Sequence, residues 1–428
     1  MKKLIIISSI MLGGIYVSAN AQSGTNSPYS QYGLGVLSDQ SQGFNRGMNG
    51  LALGLRYSDQ VNMLNPASYS AVDSLTMIMD VGLSGQITNF EENGKKINAN
   101  NADFEYAVAL FRLMPKVGLS IGVVPFTNIG YNYSSKYNIG SSEESVLTTS
   151  TEMHSGSGGF HQAYVGFGWN AFKGLSVGAN FSYFWGTYDK SISVVNSDSY
   201  VNSIVKTYST SVSNYKIDLG LQWQQRMSAD NYLTVGATYG IGHKLGADVE
   251  AVISNTNTQT NVSDKTTEIV KNGLSLPTTF GVGMSWRHSN KWSAGVDYTF
   301  QKWGNLDFPE YDASTGKYVM KSGLLKDRNK LTIGGEWVPN AMSSNFFNRV
   351  HYRAGASFAT PYIMVNGHDG PKEYSASVGF GLPLNRSVLN ISGQWVRSEA
   401  SGLIKENTFR INIGLTFNER WFMKWKVE

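Results

Sequence analysis

The chain has 428 residues, 15% charged and 12% aromatic, with 46 Gly, 10 Pro and no Cys, and its 35 basic residues nearly balance 31 acidic ones. The lack of Cys excludes a disulfide scaffold, a thiolate metal site, a lipoprotein anchor and a cysteine nucleophile. So many aromatic residues exclude a disordered chain, and so small a net charge leaves no basic surplus for nucleic acid; the surplus of Gly, Tyr and Trp points to one large β object.

Lys2 and Lys3 precede an apolar stretch from Leu4 to Val17, and Ala19-Asn20-Ala21 follows it. This is the pattern of a Sec signal peptide over residues 1–21, cleaved before Gln22. The stretch is shorter than the roughly 20 residues that a spanning helix needs. Its removal leaves a formal charge of +2. No comparable apolar run follows, so if the exported chain sits in a membrane, a closed β-barrel is the remaining way to cross it, because backbone polar groups in lipid must pair internally. The expected location is therefore the outer membrane of a Gram-negative cell.

Residues 22–72 are rich in Gly, Ser, Asn and Tyr and end near Asn65-Pro66-Ala67. Either a disordered periplasmic leader or a plug folded into a barrel lumen would fit. The glycines, which allow close backbone approach, and the lumen left by a wide cylinder favour the plug.

From about residue 73 the chain alternates with period two. Leu75, Met77, Met79, Val81 and Leu83 share one parity, and Leu175, Val177, Ala179, Phe181, Tyr183 and Trp185 another run of it, with small or polar residues mostly between. The runs reach the length that tilted membrane strands need. Fourteen such segments are expected, at 75–87, 104–112, 117–133, 161–169, 175–188, 213–223, 232–243, 273–286, 292–303, 330–337, 349–359, 373–382, 388–396 and 407–417. Connections after odd-numbered segments are long and polar, as at 134–159 and 244–272, whereas those after even-numbered ones are mostly short, as at 170–174 and 287–291. That asymmetry is expected of long outer loops and short periplasmic turns. Trp169, Trp185, Trp223, Trp286, Trp292, Trp303, Trp337 and Trp395 fall at or near segment ends, as aromatic girdles do.

The last segment, with Phe409, Ile411, Ile413, Leu415 and Phe417 on one parity, resembles the C-terminal signal read by the barrel-insertion machinery. Residues 418–428, including Trp421, Phe422 and Trp425, follow it as an expected periplasmic tail capping the turn-side rim. The expected architecture is thus an all-β, 14-stranded antiparallel transmembrane barrel over 73–417, with an N-terminal plug over 22–72.

Enzymatic chemistry finds no spacing to support it. The six His are scattered, with no H-E-x-x-H pattern. His154 and His161 could meet at the mouth, but two ligands without a carboxylate make a poor metal site. Ser155-Gly156-Ser157-Gly158-Gly159 lacks the Lys and helix that phosphate binding needs and reads as a flexible loop. No cofactor, metal or nucleic acid is expected.

Asn65-Pro66-Ala67, closing a Gly-rich segment before fourteen strands, resembles the FadL-type outer-membrane transporters of long-chain fatty acids and other hydrophobic compounds, whose plug carries an NPA motif. Leu276-Pro277 ahead of Phe280-Gly281-Val282-Gly283, Asp297-Tyr298-Thr299-Phe300 running to Trp303, and Tyr352-Arg353-Ala354-Gly355-Ala356 add to the likeness. Ser27-Pro28-Tyr29 and the tail after Phe417 look like a divergent branch found in Bacteroidetes. In that family the third strand kinks inward to open a lateral gap, and Pro125 with Phe126 falls where this sequence would place it; a strand boundary with a turn over 125–128 is the other option, since proline cannot donate to a ladder. The resemblance implies a hydrophobic small molecule that passes the plug and leaves sideways into outer-membrane lipid. Ile78, Val124, Phe126 and Phe184 interrupt the polar face and are the candidates for its path, with plain packing against the plug as the alternative for each. The alternative function is a non-transporting structural or docking subunit of an outer-membrane complex, with other outer-membrane proteins as partners.

Overall fold

A computed structural model describes residues 24–139, 148–312 and 314–420; the expected signal peptide and the segment 421–428 lie outside the described residues. Fourteen strands form the wall. They are β1 (Thr76–Glu92), β2 (Lys95–Met114), β3 (Val117–Ile139), β4 (Thr148–Phe172), β5 (Leu175–Asn196), β6 (Ser203–Arg226) and β7 (Asn231–Gly240). The circuit continues through β8 (Thr278–His288), β9 (Trp292–Lys302), β10 (Arg328–Trp337), β11 (His351–Ala359), β12 (Lys372–Leu384), β13 (Ser387–Glu399) and β14 (Lys405–Arg420). Each runs antiparallel to the next, and β1 pairs with β14 from Thr76↔Arg420 to Glu91↔Lys405, so the sheet closes on itself.

All fourteen expected segments are present, and the period-two pattern explains how they stand. On β14, Phe409, Ile411 and Ile413 face outward while Asn412 and Thr416 are buried; Phe280, Val282 and Met284 do the same on β8. A continuous apolar outer band is what hydrocarbon requires and water does not tolerate. Trp169, Trp223, Trp286, Trp292 and Trp337 are exposed near the turn-end limits of their strands and form one girdle. Trp303 departs from that expectation: it is fully buried, its ring 4.8 Å from that of Tyr362.

Several strands run far beyond the segments expected of them. Strands β3 to β6 have 22 to 25 residues, about twice the 9–11 that cross the hydrocarbon core. Their loop-end halves therefore project as a free-standing sheet. Of the stretches 134–159 and 244–272, expected as loops, the described residues 134–139 and 148–159 continue β3 and β4 into this projection, and 244–272 adds to it a hairpin of Val249–Thr256 with Ser263–Val270 on the β6 edge. The expected long connection between the first two segments is instead a ladder continued to Glu92↔Lys95, closed by Asn93 and Gly94, both at positive φ. Asn-Gly is the residue pair that such a two-residue hairpin demands.

The Gly-rich run 155–159 is likewise strand, not flexible loop. It lies within β4, where Gly156 leaves room for the Tyr131 ring, and Gly158 and Gly159 take φ of +123° and +143°. Only glycine adopts such angles cheaply. They let β4 follow a bend in β3.

Residues 24–75 fill the lumen. Phe44, Met48, Leu51 and Leu55 make a small apolar core of the plug itself, and a 3-10 helix, Pro66–Ala71, lies against β4, β5 and β6. The plug reaches the wall because the wall lacks side chains where they touch. A Cβ on Gly118, Gly178 or Gly236 would overlap the backbone of Tyr69, Pro66 or Leu53 respectively.

Candidate functional site

The Asn65-Pro66-Ala67 turn is a cap. The Asn65 side chain accepts from the Ala67 backbone N–H (3.2 Å) and donates to the carbonyls of Leu53 (2.8 Å) and Leu221 (3.3 Å). Pro66 occupies the first helical position, where a missing N–H costs nothing. The triplet thus starts the helix and stitches it to β6.

Charged groups that the sequence did not single out hold the plug more firmly. Arg46 is buried and its guanidinium donates to the Glu105 carboxylate on β2 (2.7 Å), to Asn412 on β14 (3.0 Å) and to the carbonyls of Asp39 (2.6 Å) and Ser41 (3.0 Å). Glu105 accepts in turn from Ser84 (2.5 Å). Burial alone would raise the Asp39 carboxyl, but the nearby Arg46 and Lys330 charges and hydrogen bonds from Ser41 more than offset it and hold it well below the usual range. On the far wall, Asp297 accepts from the backbone N–H groups of Ala52 (2.6 Å) and Leu53 (2.8 Å). The signal available in the sequence was a lumen parity, Asp103 and Glu105 on β2, carrying acids opposite an Arg in a Gly-rich segment.

Strand β3 runs unbroken through Pro125, with no turn over 125–128. Its ladder with β4 shifts between Pro125↔His161 and Thr127↔Phe160, so Phe126 is the extra residue of a bulge, the place where a sheet tolerates proline. Its ladder with β2 ends at Ala107↔Val123. Beyond that point β3 bends into the barrel: residues 124–127 and 129–131 are all buried, and the alternation is lost. The wall is therefore split between β2 and β3 above Val123.

The plug occupies the inner side of that split. Val36 and Leu37 pair with Asn128 and Thr127 of β3, and Ser38 donates its backbone N–H to the Phe126 carbonyl (3.0 Å). Ser30 Oγ exchanges hydrogen bonds with the Gly130 backbone, Gln31 bonds the Tyr133 hydroxyl, and Asn26 donates to Asn101 on β2 (3.1 Å).

The four candidate path residues are packed. Phe126 meets Phe184 edge-on at 5.2 Å between centroids, and Phe184 stacks on Phe160 at 5.5 Å. These rings belong to a loop-end apolar core with Tyr29, Leu34 and Trp303. Ile78 and Val124 lie in a separate cluster with plug residues Val61, Met63 and Tyr69. Spaces remain between plug and wall. One of about 190 Å³ is lined by apolar side chains such as Leu53, Met63 and Phe126 as well as by Asp39, Lys216 and Arg328, one of about 140 Å³ by Asp103, Glu105, Glu406 and Arg410 among others, and one of about 300 Å³ toward the turn end by Phe44, Tyr57, Asp59, Arg287, Glu336 and Arg353 among others. His154 and His161 do not meet. They are on one strand, about 23 Å apart at 3.3 Å per residue; His154 pairs with Glu152 and His161 stacks on Trp185.

The closed fourteen-strand barrel with its lumen-filling N-terminal segment has a FadL-like fold, which it shares with solved structures. The CymD monoaromatic hydrocarbon channel is 15% identical over 92% of this chain and 100% of its own, with a TM-score of 0.58. The Ralstonia pickettii toluene transporter TbuX is 12% identical over 91% and 99%, at 0.60, and a Pseudomonas aeruginosa FadL homologue 10% identical over 91% and 100%, at 0.61. At such identities the likeness is one of fold. The chain belongs to the BamG family, whose model matches residues 1–428. No curated protein matches it in sequence.

Proposed function

We propose that this protein is a structural or docking subunit of an outer-membrane complex, the BAM complex that its family name indicates, and that it transports nothing. The observation that carries this reading is the filled lumen. Ligand pockets for apolar molecules are typically about 300–1,000 Å³ and mostly apolar, whereas the spaces here run from about 140 to about 300 Å³, at or below the foot of that range, and each has Asp or Glu together with Arg in its lining. The apolar side chains that could have lined a path pack on each other and on the plug. In this reading the turn end with its Trp girdle faces the periplasm and the projecting β3–β6 sheet stands outside the cell.

The bend at Pro125 and the fold shared with hydrocarbon channels favour the second reading, passage of a hydrophobic compound through the split wall. Purification of the full-length protein from its own outer membrane in mild detergent separates the two. Stoichiometric recovery with other proteins of the complex, together with unchanged uptake of a fluorescent fatty acid when the protein is depleted, is the expected result. An isolated barrel with lipid-like density in its lumen would overturn it.

A further inference from the structure

The bend in β3 has freed one edge of the projecting sheet, and the chain itself uses only the first part of that edge. The plug adds Val36–Leu37 as a short strand against Asn128 and Thr127, and Ser30 serves Gly130. Further out, residues 132–138 pair with β4 on one side, through Asn132↔Ser155 to Asn138↔Thr149. Among the described residues no strand lies on their other side, and no backbone hydrogen bond beyond the β4 ladder is made by these residues. All but Tyr133 are exposed.

The opposite edge of the same sheet is treated differently. Its outer strand, Ser263–Val270, carries Asp264, Lys265 and Glu268, and the Glu268 carboxylate accepts the backbone N–H of Tyr318 (2.9 Å) from the neighbouring hairpin Phe308–Asp312/Lys317–Lys321. Charges and a covering element are the usual protections of a strand edge. The β3 edge has one charge, Lys136, and within 132–138 it carries no proline, bulge or covering element among the described residues. A row of alternating N–H and C=O groups selects one kind of occupant, an extended backbone.

We propose that residues 132–138 of β3 take an extended segment of a partner protein of the complex as an added β-strand, continuing outward the ladder that the plug begins at residues 126–130. This rests on the docking reading above. The added strand anchors the partner at the cell-surface end of the barrel, beside the split in the wall.

The absence of Cys makes the test direct. Four single substitutions, Asn132→Cys, Ser134→Cys, Lys136→Cys and Asn138→Cys, are each labelled with benzophenone maleimide in the intact complex and irradiated, with Tyr200→Cys, 82% exposed and off the edge, as a control. The expected result is that all four react with one segment of one partner, the sites advancing by two residues for each step of two along β3, and that Tyr200→Cys reacts elsewhere. Sites that advance by three or four, scatter over several proteins, or fall on a second copy of this chain would overturn the added strand. So would an intact complex with no cross-link from the edge, which leaves the docking reading standing. If the barrel is recovered without any complex, the docking reading itself is overturned and this inference with it.

Discussion

The Asn128 side chain on β3 donates to the Asp103 carboxylate on β2 over 2.9 Å, at a level of the wall where the two strands no longer pair. A side-chain bond stands in for a lost stretch of ladder, and Gly24 lies close against both groups, so the beginning of the plug is held at that point. Asp103→Ala removes a charge-assisted bond of the class worth about 1.5–3 kcal/mol. With a single Cys introduced by Asn26→Cys as reporter, thiol labelling is expected to speed up by roughly an order of magnitude in the Asp103→Ala background. An unchanged rate would mean that the bond does not hold the segment.

Arg46 is the plug's main tie to the wall. Arg46→Met leaves Glu105 buried without its cation, a change that typically costs about 3–5 kcal/mol. The plug should become protease-sensitive while the barrel keeps its resistance to unfolding in SDS without heating. Proteolysis that spares residues 24–75 in the variant would count against the ion pair.

The same site sets a pH dependence. The Asp39 carboxyl is held below its unfolded value of about 3.9. A depressed carboxyl contributes stability that is fully present above the unfolded value and is lost as pH falls through the folded one. The contribution of Asp39 to plug protection should therefore be constant from neutrality down to about pH 4 and decline only in stronger acid. Asp39→Asn should remove that part of the acid sensitivity, read by limited pepsin digestion.

Wall glycines under the plug should not accept side chains. Gly178→Val presses a branched carbon into the Pro66 backbone, and overpacking of this kind costs about 1–3 kcal/mol. The expected outcome is a closed barrel with a displaced Asn65-Pro66-Ala67 turn, seen as raised ion conductance in planar bilayers. Gly85→Ala, where an added Cβ meets nothing within 4 Å, is the matched control.

The loop-end core and the bend can be separated from transport. Phe184→Ala should destabilise that end by about 3–5 kcal/mol, visible as faster hydrogen exchange on β3 and β4. Neither it nor Pro125→Val should alter uptake of a fluorescent fatty acid. A fall in uptake on replacing Pro125 would favour the transport reading.

The strand count and the closing strand were legible because lipid enforces alternation: a parity such as Phe409, Ile411 and Ile413, repeated at membrane-spanning length from strand to strand, is what an apolar outer band requires. The projecting halves were not, because outside lipid the alternation weakens: 95–103 and 134–139 are mostly polar, their Ile97, Tyr137 and Ile139 are exposed, and the side chains that do pack there, such as Tyr208, Val212 and Val249, join a local core rather than a continuous band. Only Asn93-Gly94 marked the first of these stretches as a hairpin. Trp303 looked like a girdle residue because sequence places it at a strand end without saying which way the wall bends. The Gly-rich run 155–159 misled for the opposite reason, since the positive φ angles that suggest a loop serve here to let β4 track the bulge at Phe126. Asn65-Pro66-Ala67 signalled a plug, whereas the Arg46–Glu105 tie joins residues 59 positions apart in the chain and no local pattern announces it.

Arg46 bonds Glu105 on the second strand and Asn412 on the last, so its partners sit on either side of the β1–β14 junction. Asn412 lies 366 positions further along the chain than Arg46. The seat of the plug is therefore complete only where the two terminal strands stand side by side, so a single side chain reads whether the cylinder has closed: parting the wall along the β1–β14 seam would draw Glu105 and Asn412 away from each other and loosen the plug with them.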